Sequence, residues 1–331
     1  MGGMATGSAE LRAPTPDAVR RPLVIAVVGP TATGKSALGV DLALALSERG
    51  SPSEIINADS MQIYRGMDVG TAKLTADERR GVTHHLLDIW SVTRTASVAD
   101  YQRHARARLD AIIAGGGVPI IVGGSGLYVR AVIDRLEFPG TDDRLRAELE
   151  AELLALGAPA LHTRLAAVDP AAAAAILPTN GRRIVRALEV IALTGKPFTA
   201  ALPSYDSVYD DRYDLVQLGL DLPPDDLDAR IDERTRQMFD AGLIDEVRTL
   251  EQAGLRDGRT ASRALGYQQV LAMVDGLLTE PEARAETAQA TRRFVRRQRS
   301  WFRRDPRIHW LSPAPDLLAR ALTTIRVGGA G

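Results

Sequence analysis

The sequence contains no cysteine. Disulfides, thiolate zinc sites and a cysteine nucleophile are therefore excluded, and the chain suits a reducing cytoplasm, where it is expected to work. The five histidines show no metal-ligand spacing, and the adjacent pair His84 and His85 reads as the end of a strand. No uninterrupted apolar run approaches a membrane span. Neither sign of charge dominates: 41 Lys and Arg stand against 42 Asp and Glu, a formal net charge of -1. Any attraction to nucleic acid must then come from a local patch. Residues 1–22, rich in Gly, Ala, Pro and Ser, lack the apolar core of a signal peptide and read as a disordered leader. Internal repeats are also missing.

What is present is an ordinary globular composition, 45% apolar and 25% charged over 331 residues, enough for one large or two modest domains. "LVIAVV" (23–28) is a continuous apolar run, as expected of a strand buried on both faces of a parallel sheet. A helix from Ser36 to about Arg49 follows. "EIINAD" (54–59), "HHLLDI" (84–89) and "VPIIVGG" (118–124) read as further strands. Ser97 and Asp100 form a capping-box-like start to a helix reaching Ala114, and "SGLYVRAVI" resumes helix. This alternation predicts a doubly wound α/β core. Residues 141–205 read instead as an inserted, Ala-rich helical subdomain, interrupted at Gly157, Pro170 and Pro178. The core resumes from 206 to 320 with the strand "YDLVQLGLDL" (213–222) and then mostly helix.

Gly29-Pro30-Thr31-Ala32-Thr33-Gly34-Lys35-Ser36 matches the P-loop pattern in full. Its glycines let backbone N–H groups curl around phosphate oxygens, Lys35 supplies a point charge, and the Ser36 hydroxyl suits Mg²⁺. The helix that follows adds the positive end of its dipole. A nucleoside triphosphatase would place a Mg²⁺-holding acid at the end of a neighbouring buried strand. "PIIVGG" ends in glycines there, and Asp88 is a weak substitute. Asp59 is better placed, at the C-terminal end of a strand, where the crevice of such a sheet opens. It suits either metal binding or proton acceptance. The segment "NADSMQIYRGMDVGTAK" (57–73) reads as a substrate-facing loop.

"TRRFVRRQRSWFRR" (291–304) holds seven arginines and no acid. At helical spacing Arg292, Arg296, Arg299 and Arg303 share a face, flanked by Arg293, Arg297 and Arg304. Phe294, Val295, Trp301 and Phe302 lie opposite. With no acid alternating in the run, the stripe is expected to meet a phosphate backbone. The competing expectation is a helix paired with acidic neighbours on the surface.

Together these features resemble the bacterial tRNA dimethylallyltransferases, also called tRNA isopentenyltransferases, over about residues 23–311. The motifs that carry the resemblance are "GPTATGKS", "INADSMQIYRGMDVGTAK", "HHLLDI", "VGGSGLYVRAV", "NGRRIVRALEV", "RALGYQQ" and "RRQRSWFRR". "DSMQIYRGMDVGTAK" with "VGGSGLY" is far more specific than the P-loop alone. The resemblance implies transfer of a dimethylallyl group from dimethylallyl diphosphate to N6 of the adenosine 3′ of the anticodon. The P-loop, Gly29 to Ser36, and Arg234 would then hold the diphosphate, with Mg²⁺ near Ser36.

By the same resemblance Asp59 acts as base, with Lys35 and Ser125 as further catalytic groups. Ser125 stands where the family usually has Thr and keeps the hydroxyl. The tRNA would touch Asp59, Ser60, Met61, Gln62, Ser125 and Arg146, with Arg144 left open as the alternative to Arg146. It would also touch Arg182, Arg183, Ile184, Val185 and Arg186, then Arg263, Gly266, Tyr267 and Gln268, and finally Arg296, Arg297, Arg299 and Arg303. The helical insert would clamp the anticodon stem-loop, and the chain would act as a monomer without an obligate protein partner. Three rivals stay open: prenyl transfer to free AMP, ADP or ATP; a small-molecule P-loop kinase; and an RNA-binding switch without catalysis.

Overall fold

The computed structural model describes residues 21–198, 205, 211 and 213–328. Most of the expected leader and the expected boundary at 206 lie outside these residues. In chain order the elements are β1 (Leu23–Val28), α1 (Lys35–Ser47), β2 (Ser53–Asn57), β3 (His84–His85), α2 (Val98–Ala114), β4 (Val118–Gly123) and α3 (Gly126–Ile133). Four helices follow: α4 (Asp143–Leu156), α5 (Ala158–Val168), α6 (Pro170–Ala175) and α7 (Gly181–Thr194). The rest comprises β5 (Asp214–Leu220), α8 (Pro224–Asp240), α9 (Leu243–Gln252), α10 (Tyr267–Val274), α11 (Glu280–Phe302), β6 (Ile308–Leu311) and α12 (Leu317–Gly328).

The six strands form one parallel sheet in the order β3-β2-β4-β1-β5-β6. The uninterrupted apolar run of β1 is explained by burial on both faces. Val24, Ala26 and Val28 join one core with side chains of α2 and α3, while Ile25 and Val27 join another with α1 and α12. This is the P-loop α/β core that the alternation of elements predicts. Ser97 caps α2 as expected, accepting the Asp100 N–H at 3.3 Å.

One local reading is corrected and another is completed. The strand expected over 84–89 stops at His85, because Leu86 and Asp88 take left-handed φ values of 64° and 58°, which no strand continues. The "mostly helix" tail contains β6, a short parallel strand beside β5. Helices α4 to α7 pack around their own apolar cluster, built on Leu149, Leu161, Leu165, Ile176, Ile184 and Leu188. No helix among the described residues is long and apolar enough to cross a membrane.

Candidate active site

β1 ends against the loop 29–34, which wraps towards the N-terminus of α1. Gly29 is obligatory by contact: a Cβ there would sit 2.2 Å from the Leu220 carbonyl oxygen at the end of β5. Thr33 Oγ1 donates to Pro30 O at 2.9 Å, and Lys35 Nζ donates to the same carbonyl. The loop is thus closed on itself, with Lys35 folded against it. The P-loop neighbours Thr31, Lys35 and Ser36 line a cavity of about 510 Å³ together with Asp59, Gln62 and Arg234. These come from β1–α1, the loop after β2, and α8, so the sheet gathers residues up to 203 positions apart.

Asp59 follows β2 in a turn held by its neighbours. Asp59 Oδ1 accepts the Met61 N–H at 2.8 Å, and Asn57 Oδ1 accepts the Asp59 N–H at 3.1 Å. Asn57 Nδ2 donates to Asp59 O and Leu86 O, each at 3.2 Å. The buried Tyr101 hydroxyl donates to Asn57 O at 2.9 Å. Ser125, at the N-terminus of α3, accepts the Ser60 N–H at 3.2 Å, with its hydroxyl also on Ser60 Oγ. Gln62 Nε2 donates to Thr71 O at 3.1 Å. Asp59 and Gln62 thus line the cavity, Ser60 and Ser125 are bonded to each other behind Asp59, and Met61 is half-buried against the core.

Arg234 closes the opposite side, its Nη2 donating to Thr71 O at 3.2 Å. Burial holds its guanidinium below the usual arginine range, an effect Asp59 partly offsets. Burial, reinforced by the charge of Arg234 and opposed by Asp59, brings Lys35 down to about 7. Two cations and one carboxylate thus share a poorly solvated space, an arrangement that favours a strongly anionic guest.

The wall between Thr71 and Asp68 is built on paired charges. Lys73, almost fully buried, bonds Asp68 and Asp88 at 2.5 Å each and Tyr64 O at 3.1 Å. Asp88 is therefore committed to a lysine. β4, the neighbour of β1, carries no acid at its end: a Cβ on Gly123 would lie 2.3 Å from Ala58 O, and one on Gly124 2.5 Å from Gln298 Nε2. Among the described residues no three acids or histidines gather as a metal site.

The arginine helix α11 departs from expectation in part. Arg292 pairs with Asp232, and Arg299 and Arg303 both reach Asp221 Oδ2, at 3.0 and 3.1 Å. The acids absent from the run are supplied by α8 and by the residue after β5. Arg296 and Arg297 remain exposed, the latter over the Phe294 ring at 5.8 Å. In α7, Arg182 and Arg183 are exposed, whereas Ile184 and Val185 are in the helical core. Tyr267 is fully buried, while Arg263 and Gln268 are exposed and Gly266 is buried. The side chains of Ile184, Val185 and Tyr267 are thus out of reach of an RNA, which corrects those three as side-chain contacts. Arg146 and Arg186 turn onto the buried Glu189, at 2.5 and 2.7 Å. Burial would raise the Glu189 carboxyl, but the hydrogen bonds from these two arginines hold it below its usual range. Arg144 projects outward, with Nε on Glu148 at 3.1 Å.

Sequence reading missed Gln298 and Glu246. Gln298 has a local signal, since it falls among Val295, Trp301 and Phe302 on the inward face of α11. Glu246 has none, because its partners are the backbone N–H groups of a distant loop.

The IPP transferase family model matches residues 62–305. A tRNA dimethylallyltransferase of Thermobifida fusca is 66% identical over 303 residues, covering 91% of this chain and 94% of its own length. One from Streptomyces coelicolor is 66% identical over 291 residues, covering 88% and 90%. The crystal structure of a tRNA isopentenylpyrophosphate transferase from Bacillus halodurans superposes with a TM-score of 0.66 at 40% identity, covering 93% of this chain and 98% of its own. Since the family model spans well over half of the chain and relatives 66% identical are matched over nine-tenths of their length, the chain belongs to the IPP transferase family.

Proposed function

We propose that this protein transfers the dimethylallyl group of dimethylallyl diphosphate to N6 of the adenosine immediately 3′ of the anticodon in tRNA, releasing diphosphate. The observation that carries the reading is the convergence of Lys35, Arg234 and Asp59 on one cavity. The N6 lone pair attacks C1 of the dimethylallyl group, the C1–O bond breaks, and its electron pair leaves with the diphosphate. Lys35, Arg234 and the loop N–H groups stabilise the charge that builds on the leaving group. The N6 proton passes to Asp59, whose Oδ2 is left to accept it while Oδ1 holds the Met61 N–H. Ser125, bonded to Ser60 beside Asp59, orients the amine.

Val69, Leu74, Leu87 and Met238 line the remaining cavity, which suits a short branched hydrocarbon. The hydroxyl of Ser36 fits Mg²⁺, a hard cation that takes few protein oxygens and the rest from phosphate and water. When bound, Mg²⁺ supplies charge neutralisation at the diphosphate.

The target base is stacked in the anticodon loop and must be extruded, at a cost of about a few kcal/mol. Exposed arginines carry the RNA: Arg296 and Arg297 on α11, Arg182 and Arg183 on α7, and Arg263 with Gln268 before and within α10. Helices α4 to α7 act as the clamp on the stem, and the protein works as a monomer in the cytoplasm. The test is incubation with Mg²⁺ and radiolabelled dimethylallyl diphosphate, offering tRNA, AMP or neither. Label on the tRNA adenosine is the expected result. Label on AMP, or none on either, overturns the reading.

A further inference from the structure

We propose that Gln298 is a positioning residue whose single side-chain amide sets the spacing between the diphosphate loop and Ser125. The role thereby joins the helix that faces RNA to the groups that react. It rests on the transfer reaction proposed above.

Helix α11 has two working faces. Arg293, Arg296 and Arg297 are exposed on the outer one. On the inner one, Val295 packs with Leu227 and Ile231 of α8 and against Ala32 of the P-loop. Nearly two turns on, the Trp301 ring fills the space beside Gly126, where a Cβ would come within 2.1 Å of it. Gln298 lies between these contacts and is only 7% exposed. Its Oε1 accepts the Thr31 N–H at 3.0 Å, and its Nε2 donates to Gly124 O at 2.9 Å.

The partners dictate which way the amide points, since a backbone N–H only donates and a carbonyl only accepts. No other side chain of that length offers a donor and an acceptor side by side. Glutamate lacks the donor, leucine lacks both, and asparagine is shorter. The link then runs on without a gap. Gly124 precedes Ser125, the Ser125 hydroxyl accepts the Ser60 N–H, and Ser60 follows Asp59. One amide therefore ties the cradle of the leaving group to the turn that carries the base. Displacement of about 1 Å between such groups costs on the order of a hundredfold in rate. The same helix presents arginines to the RNA, so the docked tRNA and the reacting groups are registered against one rigid element.

The test compares the parent protein with Gln298→Leu and Gln298→Glu in single-turnover transfer from dimethylallyl diphosphate to tRNA. Thermal unfolding and tRNA binding are measured alongside. Transfer by the parent comes first; a parent that transfers nothing overturns the reaction and the Gln298 role together. The expected result for Gln298→Leu is a rate about 10- to 100-fold lower at saturating substrates, weaker donor binding, and tRNA affinity within about twofold of the parent. Gln298→Glu keeps the bond to Thr31 but sets a carboxylate oxygen against Gly124 O. It should hold donor affinity near the parent while losing rate, a split that general destabilisation does not produce. If the leucine variant fails to fold, the glutamate variant decides by the same split. A folded variant with parental rate and donor KM overturns the proposal, as does a rate loss that only tracks the folded fraction.

Discussion

Tyr267 donates its buried hydroxyl to Glu246 at 2.6 Å, and the same carboxylate accepts the backbone N–H groups of Asp68, Val69 and Gly70 at 3.1, 2.7 and 3.1 Å. A side chain of α9 thus holds the wall of the cavity, backed by the first residue of α10. Burial, with the neighbouring Glu246 charge, pushes the Tyr267 phenol up, so it stays a donor throughout the working pH range.

Glu246→Gln should loosen this wall. An amide cannot accept on both ends, so at least one N–H of the loop loses its partner, at about 1–3 kcal/mol. The expected outcome is a several-fold rise in KM for the donor with tRNA affinity retained. Steady-state kinetics with each substrate varied in turn check it. An unchanged donor KM would show that the loop keeps its shape without the carboxylate.

Asp59→Asn keeps size and most hydrogen bonds, including acceptance of the Met61 N–H, but removes the proton acceptor. The single-turnover rate should fall by about 10²–10⁴, the usual worth of a positioned acid–base group, with tRNA binding unchanged. If the carboxylate mainly serves the cation, donor binding weakens instead and added Mg²⁺ restores part of the rate. Kinetics at several Mg²⁺ concentrations separate the two, and a near-parental rate removes Asp59 from both roles.

Lys35 gives a pH dependence of known sign. In the empty cavity it titrates at about 7, and an incoming diphosphate raises that value. Below pH 7 the lysine already carries its proton. Above it, binding must take a proton up, so donor affinity falls as pH rises, by up to about tenfold per unit. Calorimetry in buffers of different ionisation enthalpy should show proton uptake at pH 8. Lys35→Met should abolish that uptake.

The arginines of α11 should divide into two groups. Arg296→Ala with Arg297→Ala removes exposed charge. It should weaken tRNA binding and flatten the dependence of log K on log salt by about one to two, since each lost phosphate contact releases fewer counterions. Arg303→Ala removes a group shared with Asp221 and should flatten the slope less. Equal slopes for the double variant and the parent would make the exposed pair surface decoration.

What the sequence by itself determined is what neighbouring residues decide. Eight consecutive residues, Gly29 to Ser36, contain the phosphate loop because its N–H groups, lysine and hydroxyl all come from that stretch. The buried runs of β1 and β4 declare a parallel sheet because each side chain reports its own burial, and Ser97 caps the turn that begins beside it. Asp59 was legible because a strand end in such a sheet faces the crevice.

The tertiary structure alone decided which charges are spent. Asp221, Asp228 and Asp232 lie some 60 to 82 positions from the arginines they meet, too far for helical spacing to register. Lys73 finds Asp88 only because the chain after β3 turns left-handed at Leu86 and Asp88. Glu246 reaches its loop across 176 to 178 positions and Gln298 reaches Thr31 across 267. Periodicity tells which way a side chain faces along its own helix. What stands opposite depends on the strand order β3-β2-β4-β1-β5-β6, which brings the ends of β1 and β4 together beneath α11, where Gln298 bonds the backbone of both Thr31 and Gly124.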